Sequence, residues 1–429
     1  MTVLAIVFLL FALLAIGMPV AFSLATAGTL GLYWVSGWDA LAGVLATTPL
    51  STAGTYELIA IPMFLLMAEF VIASGIADNL FRAASAWVGR VPGGLGMATA
   101  LAGAGFGAIS GSSTASAATL SSTTIPAMLK QGYEPKLACG VVAISGTLAM
   151  LIPPSIALVL YGIIADVSIG ALLVGGVMPG LLVTATIMTT VWALVALDPA
   201  RAPRGRAYTL KEKFVSLKVV GPMLILFMAV TGVIYSGVAT PTEASGIGAF
   251  GAFVLAIREG KINRATLSRA LLHATHASCM IVMIVVCAKI FGYFFTLTQT
   301  TQMIVHWVGG LATSKWVIMA LILFGYIILG CIMDQIAILI LTVPIVLPLI
   351  KTLGFDPVWF GVIIIVTAEV GLVTPPVGLN CFVVARYTGR PLGEIFAGVW
   401  PHVFAHVALL AVLVAFPGII LWLPSTMAP

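Results

Sequence analysis

The sequence predicts an all-α polytopic membrane protein built as two inverted repeats, each with a re-entrant helical hairpin and a proline-broken helix. Three observations predict it: an apolar composition, an internal repeat at a fixed spacing, and small-residue or breaker segments that recur at that spacing. Of 429 residues, 61% are hydrophobic and 8% charged, whereas a soluble domain carries about 25% charged residues. Mean hydropathy is +1.19. A helical span needs roughly 20 apolar residues, so the chain holds on the order of ten to twelve crossings. A soluble globular protein is excluded. The net charge of +5 does not point to nucleic acid, because the charges fall in short loops between apolar segments, where they set topology.

The N-terminal run MTVLAIVFLLFALLAIG lacks a basic leader and continues through Pro19 into a second apolar stretch. It is expected to remain as a first helix. Cys139, Cys279, Cys287, Cys331 and Cys381 lie in apolar stretches without a CxxC pair, so they read as packing residues and not as disulfides or metal ligands.

Topology follows from the basic residues. Six of the 19 Lys and Arg fall between Arg201 and Lys218, and four between Arg258 and Arg269. Both loops are expected in the cytoplasm. Tracing outward places Arg82, Arg90, Lys130, Lys136, Arg386 and Arg390 on the same side, Lys315 and Lys351 outside, and Lys289 within a span. Sixteen against two fixes the orientation and puts both termini on the outer, periplasmic face.

A shift of 222 residues pairs Pro19 with Pro241, Pro126 with Pro348, Pro135 with Pro357, Pro153 with Pro375, Pro154 with Pro376, and Pro179 with Pro401. Chance supplies less than about one such match at a preset offset. Gly132-Tyr133-Glu134-Pro135 answers Gly354-Phe355-Asp356-Pro357, so the chain is two homologous halves. They enter the membrane from opposite sides, and inverted repeats are characteristic of secondary transporters with a site near the midplane.

Between Ala102 and Thr124, 20 of 23 residues are Gly, Ala, Ser or Thr. Small residues let helix backbones approach closely and let a chain turn back inside the bilayer where protein or a wet cavity covers it. A hairpin opening to the cytoplasm is expected, with its tip at Ser110–Thr114. Its repeat partner, Ile327–Pro348, opens outward and carries Asp334 opposite Ser112. An unpaired charge there costs at least ~3 kcal/mol on insertion scales, so a functional or capping role is expected. Glu57, Glu69, Glu243 and Glu369 also lie in or beside apolar runs, where a structural ion pair or snorkelling is an equally good account.

The pairs Pro153-Pro154 and Pro375-Pro376 interrupt two further helices, since proline removes a donor and clashes with the preceding turn. Freed carbonyls with Ser and Thr hydroxyls make an oxygen shell for a hard monovalent cation, and new helix N-termini favour an anion. At least two sodium sites are expected. Candidates for the first are Ser110, Ser112, Gly146, Thr147 and Ile152, and for the second Asp334, Gly371, Thr374 and Pro375. An anionic substrate is expected between the hairpin tips, near Ser113, Thr114, Ser155 and Asn380.

The run GAISGSSTASAATLSSTTIPAMLKQGY, the LIPPS and LVTPPVGLN breaks and the ATPTEAS turn at 239–245 together resemble the large membrane subunit of tripartite ATP-independent periplasmic (TRAP) transporters, along essentially the whole chain. The resemblance implies an elevator-type transporter of the cytoplasmic (inner) membrane that imports organic acids with sodium. It also implies two partners: a small four-helix membrane subunit, expected as a separate chain, and a periplasmic solute-binding protein that delivers the carboxylate. In these terms, residues 1–217 form the first repeat: scaffold helices in 1–75, an arm helix at 76–91, a hairpin at 92–128, a broken helix at 137–165, a helix at 168–197 and a cytoplasmic linker at 198–217. Residues 218–429 form the second, with scaffold helices in 218–297, an arm at 298–313, a hairpin at 315–350, a broken helix at 357–387 and a helix at 392–424. The family's ion-binding region maps to Ser110–Thr114, Gly146–Pro154, Gly330–Gln335 and Gly371–Gly378.

Two rival classes are weaker. An embedded enzyme has only the pairs His273/His276 and His402/His406 in its favour, without an HExxH pattern or a carboxylate cluster. No nucleotide or transition-metal cofactor is expected, since no GxxxxGK[ST] loop occurs. The second rival is a stand-alone anion/sodium symporter that works without a binding protein.

Overall fold

The computed structural model describes residues 2–309 and 313–427. Leu311 and its neighbours at the end of the second expected arm lie outside the described residues. All regular structure in the described residues is helical. The first half runs α1 (Thr2–Ala15), α2 (Val20–Ala53), α3 (Ala60–Ser74), α4 (Ile76–Val88), α5 (Gly94–Ser110), α6 (Ser113–Thr123), α7 (Ile125–Lys130), α8 (Pro135–Thr147), α9 (Ile156–Ala165) and α10 (Ile169–Leu197). The second runs α11 (Leu210–Tyr235), α12 (Pro241–Arg258), α13 (Arg264–Leu297), α14 (Thr300–Gly309), α15 (Lys315–Ile332), α16 (Gln335–Thr352), α17 (Pro357–Leu372), α18 (Leu379–Thr388), α19 (Leu392–Ala415) and α20 (Gly418–Ser425). Eight helical segments among the described residues are long and apolar enough to cross a bilayer.

The repeat is visible in the elements themselves. Shifting by 222 residues carries the starts of α5, α6, α8, α9 and α10 onto those of α15, α16, α17, α18 and α19, to within one residue. Shared local chemistry explains the match. Pro135 and Pro357 open α8 and α17 at positions where a missing N–H costs nothing. Ser112 and Asp334 cap α6 and α16, and Ser155 caps α9.

Three boundaries differ from the sequence reading. The helix α11 starts at Leu210, inside the segment expected to be linker, because Thr209 and Glu212 form a capping box there. Gly37, at φ 76°, interrupts α2. The last long helix stops at Ala415 because Phe416 precedes Pro417 and is pushed out of the helical region, so 418–425 forms a separate helix.

The halves interlock. In the scaffold, α2 packs on α13 and α12 on α3. In the rest of the molecule, α6 packs on α18 and α16 on α9, while α8 packs on α19 and α17 on α10. Each of these pairs joins one half to the other, and each is the repeat image of its partner pair. One continuous apolar core results, centred on α8, α9 and α17, whose Val142, Leu158 and Ile364 are fully buried. Large apolar side chains such as Phe8, Trp34, Leu50, Phe250 and Phe324 remain outside, where lipid covers them.

The chain between α10 and α11 straps the base of the first hairpin. The Glu134 N–H donates to Arg201 O at 2.7 Å, and Arg201 pairs with Asp198 at 3.1 Å. Trp87 of α4 meets Phe214 of α11 edge-on at 6.2 Å, with the Lys213 ammonium 5.7 Å above its ring.

Candidate functional site

Both hairpins turn at a residue pair where helix cannot continue. In the first, Gly111 takes φ +56°, a conformation that strains any residue with a Cβ, and its surroundings admit none, since a Cβ would lie 2.9 Å from the Ile156 side chain. This seats the tip on the start of α9. Behind it, Ser110 Oγ and Ser116 Oγ are 2.6 Å apart, Ser112 Oγ accepts from the Ala115 N–H at 3.4 Å, and Ser112 and Thr114 hydroxyls lie 3.3 Å apart. The hairpin legs embrace the first break: Gly107 faces Leu148 and Ala149, and Ala117 faces Gly146.

The first break is a tightened helical turn at Leu148–Met150 followed by a turn and bends over 151–154 to Ser155, with Pro153-Pro154 in the cis form. Thr147 donates its hydroxyl to Ile144 O at 2.8 Å. Ser155 donates to Met150 O and accepts from the Leu158 N–H at 3.3 Å. The Ser155 side chain thus serves as a helix cap, fully buried, and the hairpin legs meet the break at Gly146, Leu148 and Ala149, while Ile152 lies against Gly180.

The second tip and break meet in the same way. Gly330 and Gly371 touch backbone to backbone, since a Cβ on Gly371 would lie 2.6 Å from Gly330 Cα and 2.6 Å from Ile327 O. The Gly378 N–H donates to Cys331 O at 3.3 Å. Asp334 caps α16 through the Ile336 N–H at 3.2 Å. Thr374 donates to Val370 O at 2.6 Å, and Pro375-Pro376 is again cis. The end of the second hairpin's first leg, at Gly330 and Cys331, thus meets the second break at Gly371 and Gly378.

The two junctions meet through α18. Asn380 donates from Nδ2 to Ala143 O of α8 at 3.2 Å, and α18 packs on α6, which carries Ser113 and Thr114. Ser113, Thr114 and Asn380 thus share one interface, and Ser155 belongs to the first junction.

Several buried polar groups lie in the same region, of which Ser145 alone was not singled out by the sequence. Gln335, fully buried, donates to Ile365 O at 3.3 Å and leaves Oε1 without a partner. Glu369 is fully buried with neither carboxylate oxygen paired, and Ser113 Oγ, Ser145 Oγ and Asn380 Oδ1 are likewise unmatched. Leaving one such group buried and unmet costs about 1–3 kcal/mol, more for a charged one. This concentration of unused oxygen acceptors fits a cation shell of oxygen ligands, with no nitrogen or sulfur needed. His402 and His406 are also fully buried, with His406 Nδ1 2.8 Å from His402 O. Among the described residues no group of three or more His, Cys, Asp or Glu could hold a metal ion.

The remaining flagged acids have local roles. Glu243 reciprocally caps α12 with Thr240. Glu69 lies 3.6 Å from His273, and Glu57 lines an outer cavity. Cys139, Cys287, Cys331 and Cys381 are buried and unpaired, whereas Cys279 is exposed.

The fold is shared with a solved transporter. The crystal structure of the Alcanivorax borkumensis YdaH transporter superposes with a TM-score of 0.67 at 16% identity, covering 89% of this chain and 90% of that one. Among curated proteins, a C4-dicarboxylate TRAP transporter large permease of Pseudomonas aeruginosa is 35% identical over 382 residues, 89% of each chain. An isethionate TRAP transporter permease named DctMQ, from Oleidesulfovibrio alaskensis, is 32% identical over 410 residues, which are 95% of this chain and 64% of that protein. The family model for the DctM component of tripartite ATP-independent periplasmic transporters matches residues 7–419. With the family model and the curated relatives matching over nearly the whole length, this chain belongs to the DctM family of TRAP transporter large permeases, which are membrane transporters and not enzymes.

Proposed function

We propose that the protein is a sodium-coupled secondary active importer of a small organic acid, working by elevator alternating access in the cytoplasmic membrane. The observation that carries this is the pairing of two hairpin tips with two broken helices around unmet buried oxygens. Sodium would sit at the Ser110–Ser112 and Gly146–Ile152 junction, and at the Asp334 and Gly371–Pro375 junction. The substrate carboxylate would lie beside Ser113, Thr114 and Asn380. The relatives' names, C4-dicarboxylate and isethionate, support an organic anion as cargo. The DctMQ name of a relative that extends well beyond the matched residues supports a small membrane subunit as partner. A periplasmic solute-binding protein completes the assembly, and both termini face the periplasm.

Electrostatics supports the coupling. Carrying one negative charge inward against 100 mV, inside negative, costs about 2.3 kcal/mol. A monocarboxylate needs at least two accompanying sodium ions for the potential to aid import, and a dicarboxylate at least three. Two symmetry-related junctions would supply at least two such sites.

The test is uptake into proteoliposomes containing the large and small subunits, with the cognate binding protein outside and a sodium gradient imposed. Uptake is expected to need all three proteins and inward sodium, and to rise with an inside-negative potential. Full uptake without the binding protein favours the stand-alone symporter, and uptake indifferent to sodium contradicts the coupling.

A further inference from the structure

Lys289 is the cation that the hairpins and breaks do not use. It lies on α13 eight residues before the helix ends at Leu297, or about 12 Å along the axis, in a part of the chain otherwise apolar. Yet it is exposed, and it makes no ion pair or hydrogen bond among the described residues. A lysine so placed demands either water or an anion.

Its surroundings provide room for both. Lys289 lines two adjoining cavities that share Ile163 and Ile164 of α9. The larger, about 850 Å³, also holds Glu57 and Asp166. The smaller, about 320 Å³, has Lys289 as its only charged lining residue, with Tyr293, Thr296 and Thr301 beside it and Pro344 of the second hairpin closing one wall. That volume is at the low end of small-molecule sites, and one charge plus hydroxyls on an apolar wall is how such sites orient an acid. Glu57 and Asp166 favour cations in the larger space, so the anion belongs in the smaller one.

The repeat shows that the lysine is not demanded by the fold. The equivalent position in the first half is Met67, buried against Gly248. Only the second half of the scaffold carries a cation at this position.

We propose that Lys289, with the Tyr293 and Thr301 hydroxyls, binds the carboxylate of a small organic acid between scaffold helix α13 and the second hairpin, as a station separate from the hairpin tips; the Thr296 hydroxyl is already donated to Gly292 O at 3.0 Å. This rests on the reading of the protein as an organic-acid importer. The ammonium and carboxylate form a charge-assisted contact in a half-enclosed space, where removal of one partner costs about tenfold or more in affinity.

The test uses the purified large and small subunits together. Binding of radiolabelled succinate is measured by equilibrium dialysis, with acetate and gluconate as competitors, and uptake is assayed in proteoliposomes with the cognate binding protein outside and an inward sodium gradient. Lys289→Met, which copies the residue the first half tolerates, is expected to weaken carboxylate binding about tenfold or more, and to raise the uptake KM while the maximal rate persists. Lys289→Arg is expected to retain binding, and Lys351→Met, a lysine in the last turn of α16 that does not line the cavity, to match the wild type. If the wild type imports an acid and Lys289→Met binds it equally well, the site is overturned while the importer reading stands. If the wild type neither binds nor imports any of the three acids, both fall. A Lys289→Met protein that loses maximal rate and melting temperature together, without rescue by Lys289→Arg, also overturns the binding role in favour of a structural one.

Discussion

Ser112 and Asp334 occupy matching places in the two halves and have the same local duty, each lending a side-chain oxygen to the first turn of a hairpin's second leg. Capping explains why a small oxygen-bearing residue stands there, and the remaining lone pairs are what a sodium site would use. Ser112→Ala combined with Thr374→Ala is expected to weaken sodium activation of uptake while membrane insertion persists; unchanged activation in the double variant counts against both assignments. A second residue-scale expectation concerns Glu212, in the polar turns that precede the apolar stretch of α11. The Thr209 N–H and then the Thr209 hydroxyl, with a smaller contribution from Arg206, hold its carboxyl below the usual value. A depressed carboxylate contributes stability above its ordinary pKa and loses it as pH falls through the lowered one. Hydrogen exchange at the first turn of α11 should therefore be slow at neutral pH and faster in acid, and Thr209→Ala should remove about 1 kcal/mol of local protection. The Thr-x-x-Glu spacing makes both capping boxes, Thr209/Glu212 and Thr240/Glu243, legible in the sequence. Glu369 offered no such signal, because a lone acid in an apolar run looks the same whether it caps, pairs or sits unmet, and only its full burial distinguishes it.

Helix breaks were the legible elements, since proline pairs and runs of Gly, Ala and Ser each forbid one structure and permit another. The hairpin tips fall where the small residues and Asp334 place them. What packs against each hairpin was not legible, because two glycines 41 positions apart reveal nothing of their contact. The touching backbones of Gly330 and Gly371 are expected to be intolerant: Gly371→Ala should overpack the junction by about 1–3 kcal/mol, lowering the thermal midpoint in detergent and weakening any sodium-dependent stabilisation. A variant with an unchanged midpoint would show that the second hairpin and α17 are not held together there. The early start of α11 was hidden because its Lys-rich first turns read as loop by charge alone, whereas capping chemistry makes them helix.

At the scale of the molecule, the duplication is more than a record of ancestry, because neither half completes its own packing. Each hairpin's second leg lies on the other half's broken helix, and each half's leading scaffold helix lies on the closing scaffold helix of the other. A two-fold arrangement of this kind gives a central site two near-equivalent environments, one facing each side, which is what alternating access needs. Lys289 and Met67 mark where the equivalence is broken. Proline spacing and charge asymmetry announced the repeat, but the exchange of partners between halves depends on contacts far apart in sequence and carries no local signal.

The architecture is tested most directly by asking from which side each hairpin is entered. Single cysteines at Arg90, Lys130, Ser314 and Thr352, in a Cys279→Ser background, would be labelled with a membrane-impermeant maleimide in right-side-out and inverted vesicles. Arg90 and Lys130 flank the first hairpin, and Ser314 and Thr352 flank the second. The first two should react only from the cytoplasm and the last two only from the periplasm. A hairpin whose two ends react from opposite sides is a plain crossing, and the re-entrant, oppositely oriented repeat is then wrong.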